Sequence, residues 1–188
     1  MFVAPHKPEE KPQRPAMLFS ICEIRPHLFI AGYGAITEKK LKDLGINYVV
    51  DCTNIPKGKC YEGVEYFDVP VDDSEMGRLN KYFESSAEFI EQAKKKGGKT
   101  VVYCAAGVSR SAALCMVYLM ISEGISLEES YIVVCKARPL IAPNNGFWRQ
   151  MIDFEREKTG QNTVQLLKGM NRPVPSVYLN KSKIVGTP

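Results

Sequence analysis

VVYCAAGVSRSAAL, Val101 to Leu114, decides how the chain is read. An apolar run meets a cysteine, then a turn of small residues, then an arginine and a second apolar run. KTVVY has the composition of a buried strand, and SAALCMVYLMI, from Ser111, reads as a nearly all-apolar, buried helix. The segment Cys104-Ala105-Ala106-Gly107-Val108-Ser109-Arg110 therefore joins the end of a strand to the start of a helix. At such a junction successive backbone N–H groups can turn inward as an anion cradle, and the helix dipole favours negative charge there. The small residues at 105–107 let the backbone approach a phosphate closely. Arg110 can grip two phosphate oxygens at once, which a lysine cannot do with the same geometry. A thiol at Cys104 in that field loses its proton more readily and becomes a nucleophile near neutral pH. The loop reads as one device, a thiolate beneath a bound phosphate.

Outward from the loop, strand-like and helix-like segments alternate. MLFSICEI and HLFIAG are short β-like runs separated by a turn at Arg25-Pro26. Thr37 can cap a short helix, EKKLKDL, which Gly45 closes. INYVVDCT and VEYFDVPV follow as strands. Arg78 to Lys96 carries apolar residues at helical spacing up to Gly97-Gly98. Ser126 with Glu129 fits a capping box for a helix through Lys136. Pro143-Asn144 precede a last helix, GFWRQMIDFEREK, stopped by Gly160. This order predicts an α/β fold in a single domain, with a central, mostly parallel sheet covered by helices on both faces. The domain is expected over residues 17–160. A proline-rich, disordered segment at 1–16 precedes it, and a partly ordered basic tail at 161–188 follows. Phe147 and Trp148 are expected in the core.

Charge and cysteine usage narrow the function classes. The chain has 188 residues and a formal charge of +4. The excess comes from Lys168, Arg172, Lys181 and Lys183, beyond the last acid, Glu157. A balanced body argues against a nucleic-acid partner, which wants a basic face on the folded part. The start of the chain lacks the pattern of a secretory signal, and no apolar run approaches the roughly 18 residues that span a bilayer, so no integral membrane segment is expected. The six cysteines are then read as reduced thiols in a cytoplasmic protein, with the nucleus as a second compartment. With no C-x-x-C pair and only His6 and His27, no metal site is expected. Cys22, Cys52, Cys60, Cys115 and Cys135 have no basic loop beside them and read as non-catalytic.

The loop CAAGVSRS resembles the signature of cysteine-dependent protein phosphatases, and AGVSRSA resembles their dual-specificity branch. VPVDD, the Cys loop, ARPLIAPNNGFWRQMIDFE and the tail TVQLLKGMNRPVPSVY together resemble the small atypical dual-specificity phosphatases over about residues 17–180. The resemblance implies a protein tyrosine phosphatase-like fold, no cofactor and a phosphorylated protein substrate, with mitogen-activated protein kinases as a family-level guess. It implies that Cys104 attacks phosphorus and forms a phosphocysteine. Arg110 and the loop amides, from Ala105 to Ser109, would hold the phosphate oxygens. Ser111 would assist the sulfur as a leaving group, and an aspartate after VPV would act as general acid and base. Asp73 is favoured for that role by its spacing from Cys104, with Asp72 in reserve. Asn144 would brace the loop, although a plain helix cap explains it as well. A phosphate-binding interaction module with little turnover, and a rhodanese-like sulfur transferase, remain as alternatives.

Tyr103 departs from the pattern, since histidine usually precedes the nucleophile in this family. Side chains alternate along a strand, so Tyr103 should face away from Cys104 and act through the loop backbone. The Cys104 thiol is expected to ionise at somewhat higher pH than in relatives. Thiol alkylation followed against pH should show a lower midpoint for Tyr103→His than for the wild type; a shared midpoint refutes the expectation.

Overall fold

The computed structural model describes residues 18–186 except 57 and 170. The proline-rich start at 1–16 lies outside the described residues, as does Met17 at the head of the first β-like run. The sheet has the order β1 (Cys22–Arg25), β2 (Leu28–Gly32), β5 (Thr100–Cys104), β3 (Tyr48–Asp51), β4 (Glu65–Asp68). Only the edge strand β1 runs antiparallel to its neighbour, across the turn at Pro26. The other pairings are parallel, with Gly32 beside Cys104 on one flank of β5 and Asp51 beside Tyr103 on the other. The sheet is thus mostly parallel, as expected, and its central strand ends on Cys104.

Alternation along β5 assigns each side chain to a layer. Val102 and Cys104 face a large core with Leu28, Ile30 and Val50, covered by α2 (Phe83–Lys95), α3 (Arg110–Glu123), α4 (Leu127–Ala137) and α5 (Asn145–Thr159). Val101 and Tyr103 face a smaller core with Phe29 and Val49, covered by Leu41 of α1 (Glu38–Leu44) and by the segments around Ile36 and Ile46. The helix ends follow local rules. The Thr37 hydroxyl accepts from Lys40 N–H, and Ser126 and Glu129 form the reciprocal capping box. The helix read over Arg78 to Lys96 opens with a 3-10 turn at Leu79–Tyr82 before α2 begins. α3 starts at Arg110 and buries every residue through Met120, so its apolar run needs no amphipathic period.

The segment after Gly160 folds back onto the body. β6 (Leu166–Leu167) pairs antiparallel with β7 (Val174–Pro175), and a 3-10 turn at Ser176–Asn180 leads into α6 (Lys181–Val185). The Trp148 indole N–H donates to the Tyr178 hydroxyl at 3.1 Å, and Val164 and Val177 are buried. Glu155, almost fully buried, joins this segment to two helices: its carboxylate accepts from Leu127 N–H, Thr163 N–H and the Thr163 hydroxyl at 2.7–2.8 Å. Two of these donors are backbone groups with no ready substitute partner. Glu155→Ala should cost about 3 kcal/mol of stability in denaturant unfolding, and Glu155→Gln less, because it retains one acceptor.

Candidate active site

The phosphate-type loop is held open from its outer side. The Ala105 carbonyl accepts from Tyr33 N–H at 3.1 Å and the Val108 carbonyl from Ala142 N–H at 2.9 Å. The Ser109 carbonyl accepts from Ala113 N–H at 3.0 Å. Arg138 takes the two between: Nη2 donates to the Ala106 carbonyl at 3.0 Å and Nε to the Gly107 carbonyl at 2.7 Å. With these carbonyls engaged outside, the N–H groups are left to the concave side, as an anion site requires. Gly107 has φ +68°, and a Cβ there would stand 2.4 Å from the Ala31 carbonyl atoms. Gly32 admits the loop from the other side, where a Cβ would meet Ala106 at 2.9 Å. Both positions therefore demand glycine for reasons of space, and Gly107 for its backbone as well.

Cys104 lies buried at the foot of the loop, with its sulfur 3.2 Å from the Ser111 hydroxyl. Burial alone pushes this thiol up, but hydrogen bonds from the Ser111 hydroxyl and from the amides of Ser111, Val108 and Ser109 outweigh it, so its pKa falls below the ordinary value. Burial pushes the thiols of Cys52, Cys115 and Cys135 upward instead. The same residue type thus divides into one activated thiol and three inert ones, by environment alone.

Arg110 is buried, and its Nη1 donates to the Thr53 carbonyl at 3.2 Å and the Val71 carbonyl at 3.1 Å. Its Nε is buried without a hydrogen-bond partner among the described residues. The two candidate acids separate. Asp73 Oδ1 accepts from the Ser109 hydroxyl at 2.7 Å and from Asn144 Nδ2 at 2.8 Å. Asp72 instead accepts from Asn54 Nδ2 at 2.8 Å. Asp73 lines the same cleft as Cys104, about 510 Å³ in volume, and Asp72 does not. Asn144 makes hydrogen bonds both to its own helix and to the loop. Its Oδ1 accepts from Phe147 N–H and caps α5, while its backbone N–H donates to the Ser109 hydroxyl. Tyr103 faces away from Cys104, as alternation predicts, and its hydroxyl donates to Asp51 Oδ2 at 2.5 Å. Burial first, and then the Asp51 carboxylate, keep that phenol protonated. Phe147 and Trp148 are wholly buried, as expected for core residues.

A family model described as "Dual specificity phosphatase, catalytic domain" matches residues 28–157. The chain belongs to the dual specificity phosphatase family. It is 40% identical over 166 residues to human dual specificity protein phosphatase 14, covering 87% of this chain and 83% of that one. It is 35% identical over 168 residues to mouse dual specificity protein phosphatase 18, covering 88% of each. Among solved structures, a mouse putative dual specificity phosphatase complexed with zinc tungstate is similar, with TM-score 0.72, 33% identity and coverage of 84% of this chain and 96% of that one. The protein is accordingly a protein phosphatase, and the cradle around Cys104 lies inside the matched catalytic region.

Sequence reasoning missed several residues of this phosphatase's site. Arg138 carried one signal, an arginine directly before Pro139 where α4 must stop, but nothing local says that it reaches two loop carbonyls. Thr53 and Asp51 carried none, because their role depends on β3 pairing with β5. Nor did the sequence place Arg172, Pro173 and Tyr178 of the folded-back segment on the cleft wall. Arg138→Lys supplies only one of two carbonyl donors in a fixed fork, and should lower kcat/KM about tenfold; the melting temperature should fall as well, because the fully buried guanidinium also donates to the Ser20 carbonyl and the Cys22 sulfur. Unchanged kinetics would show that the loop holds its shape without the fork.

Proposed function

We propose that this phosphatase hydrolyses phosphotyrosine and phosphoserine/phosphothreonine side chains of proteins through a phosphocysteine intermediate. The observation that carries the reading is the activated sulfur of Cys104 beneath inward-facing amides, with Asp73 in the same cleft. The Cys104 thiolate attacks phosphorus, and the bond to the substrate oxygen breaks as Asp73 donates a proton to that oxygen. The loop amides of Ala105 to Ser109 and the free edge of Arg110 take the charge on the phosphate oxygens. In the second step Asp73, now a carboxylate, takes a proton from water while the water oxygen attacks phosphorus. The sulfur–phosphorus bond breaks, the Ser111 hydroxyl stabilises the departing thiolate, and inorganic phosphate leaves. The similar mouse structure is a complex with zinc tungstate, and tungstate is a tetrahedral oxyanion like phosphate.

A binding module with low turnover would share the cradle, but the match to a dual specificity phosphatase catalytic domain favours turnover. Mitogen-activated protein kinases are the first substrates to test, and cytoplasm and nucleus the compartments to examine. Among the described residues no helix is long and apolar enough to cross a membrane.

Cys104→Ser should abolish aryl phosphate hydrolysis while the protein still captures phosphopeptides. Asp73→Asn should lower kcat on a phosphopeptide about 100-fold or more, and Asp72→Asn by far less. Equal losses in the two aspartate variants would overturn the assignment of the acid. Turnover surviving Cys104→Ser would overturn the phosphocysteine route.

A further inference from the structure

Tyr103 and Asp51 form a buried unit that the two-step chemistry does not use. The unit sits on the α1 side of the sheet, opposite the sulfur. Tyr103 is fully buried beside Phe29, Ala31 and Val101, and Asp51 is its register partner on β3. The Asp51 carboxylate accepts three hydrogen bonds. Oδ2 takes the Tyr103 hydroxyl at 2.5 Å, and Oδ1 takes Thr53 N–H at 2.8 Å and the Thr53 hydroxyl at 2.6 Å. The last two close a side-chain turn that sets the peptide orientation just after β3. The backbone at Gly58 lies over the carboxylate, since a Cβ there would stand 3.0 Å from Oδ2. The Thr53 carbonyl, held by that turn, is one of the two acceptors that fix Arg110 Nη1.

We infer that Tyr103 and Asp51 are positioning residues for Arg110, setting its grip on phosphate through Thr53. This replaces the sequence expectation that Tyr103 raises the Cys104 midpoint, because the Tyr103 hydroxyl is bonded to Asp51 on the face away from the sulfur. The inference rests on the phosphatase reading of the loop. The donors that depress the thiol are Ser111 and the amides of Ser111, Val108 and Ser109, and none of these contacts Tyr103 or Asp51 through a hydrogen bond among the described residues. Removing the phenol hydroxyl leaves Oδ2 without its donor in a buried site. The carboxylate then turns toward other donors, the Thr53 turn loosens, and Arg110 keeps only the Val71 carbonyl as a firm anchor. A guanidinium ordered only when phosphate arrives binds more weakly than one ordered beforehand.

One assay on the full chain separates the two roles and needs no turnover. Alkylation of Cys104 by iodoacetamide is followed by mass spectrometry of its peptide. The pH profile reports the thiol, and protection by added inorganic phosphate reports the phosphate dissociation constant. Tyr103→Phe and Asp51→Asn should each weaken phosphate binding about fivefold, with the alkylation midpoint unchanged. The double variant should be no weaker than the Asp51→Asn single, because the Tyr103 hydroxyl acts through the Asp51 carboxylate. Should Tyr103→Phe fail to fold, Asp51→Asn interrogates the same contact from its other side. Folded variants with wild-type phosphate affinity overturn the inference, as does a shifted midpoint with unchanged affinity. A wild type that phosphate does not protect at all overturns the phosphatase reading itself, which is a different outcome.

Discussion

The outward hydrogen bonding of the loop carbonyls, from Ala105 to Ser109, is the constraint on which the site depends. A peptide group that offers its carbonyl to the scaffold must turn its N–H the other way. Tyr33 from the end of β2, Ala142 from the approach to α5, Ala113 from α3 and Arg138 from the end of α4 each secure a carbonyl. The anion site is therefore a by-product of how these elements meet. Its donors cost no reorganisation when phosphate arrives, because the fold has already ordered them.

The central strand carries this constraint to Cys104. β5 is flanked by parallel partners on both sides, and its last residue is Cys104. Alternation then gives one face a sulfur and the other a phenol. The sulfur meets amides and a hydroxyl, which lower its pKa; for its buried cysteine neighbours in the same core desolvation prevails and raises the thiol instead. The phenol meets a carboxylate and a turn that leads back to Arg110. In the proposed mechanism the two sides of one strand end would serve the two halves of the chemistry, the attacking atom and the grip on its target.

Asp73 and Asn144 show how loops far apart in sequence are registered to the same point. The Ser109 hydroxyl donates to Asp73 and accepts from Asn144 N–H, while the Asn144 side chain donates to Asp73 and caps α5. A helix cap, an acid and the phosphate loop share one small network. Asp72, its neighbour, turns to Asn54 and the β3–β4 loop, which has its own left-handed residue at that asparagine. Adjacent aspartates with equal chemistry acquire different surroundings from one change in direction of the chain.

Much of this was legible in the order of residues. Hydrophobic alternation, helix caps at Thr37 and Ser126, and glycine stops located most elements, because those signals are local. The cysteine-to-arginine spacing specified an anion loop, since backbone geometry at a strand–helix junction is itself local. Spacing could rank Asp73 above Asp72 but could not show that only Asp73 lines the cleft. The roles of Thr53 and Asp51 were invisible, and of Arg138 only its place at a helix end showed, although each is an ordinary residue type in plain view. Their roles arise from strand register and from a side chain reaching across 31 residues to Gly107. Sequence determined which chemistry the loop can perform; the tertiary structure decided which groups hold it in place, because hydrogen bonds between distant segments exist only once the sheet has paired.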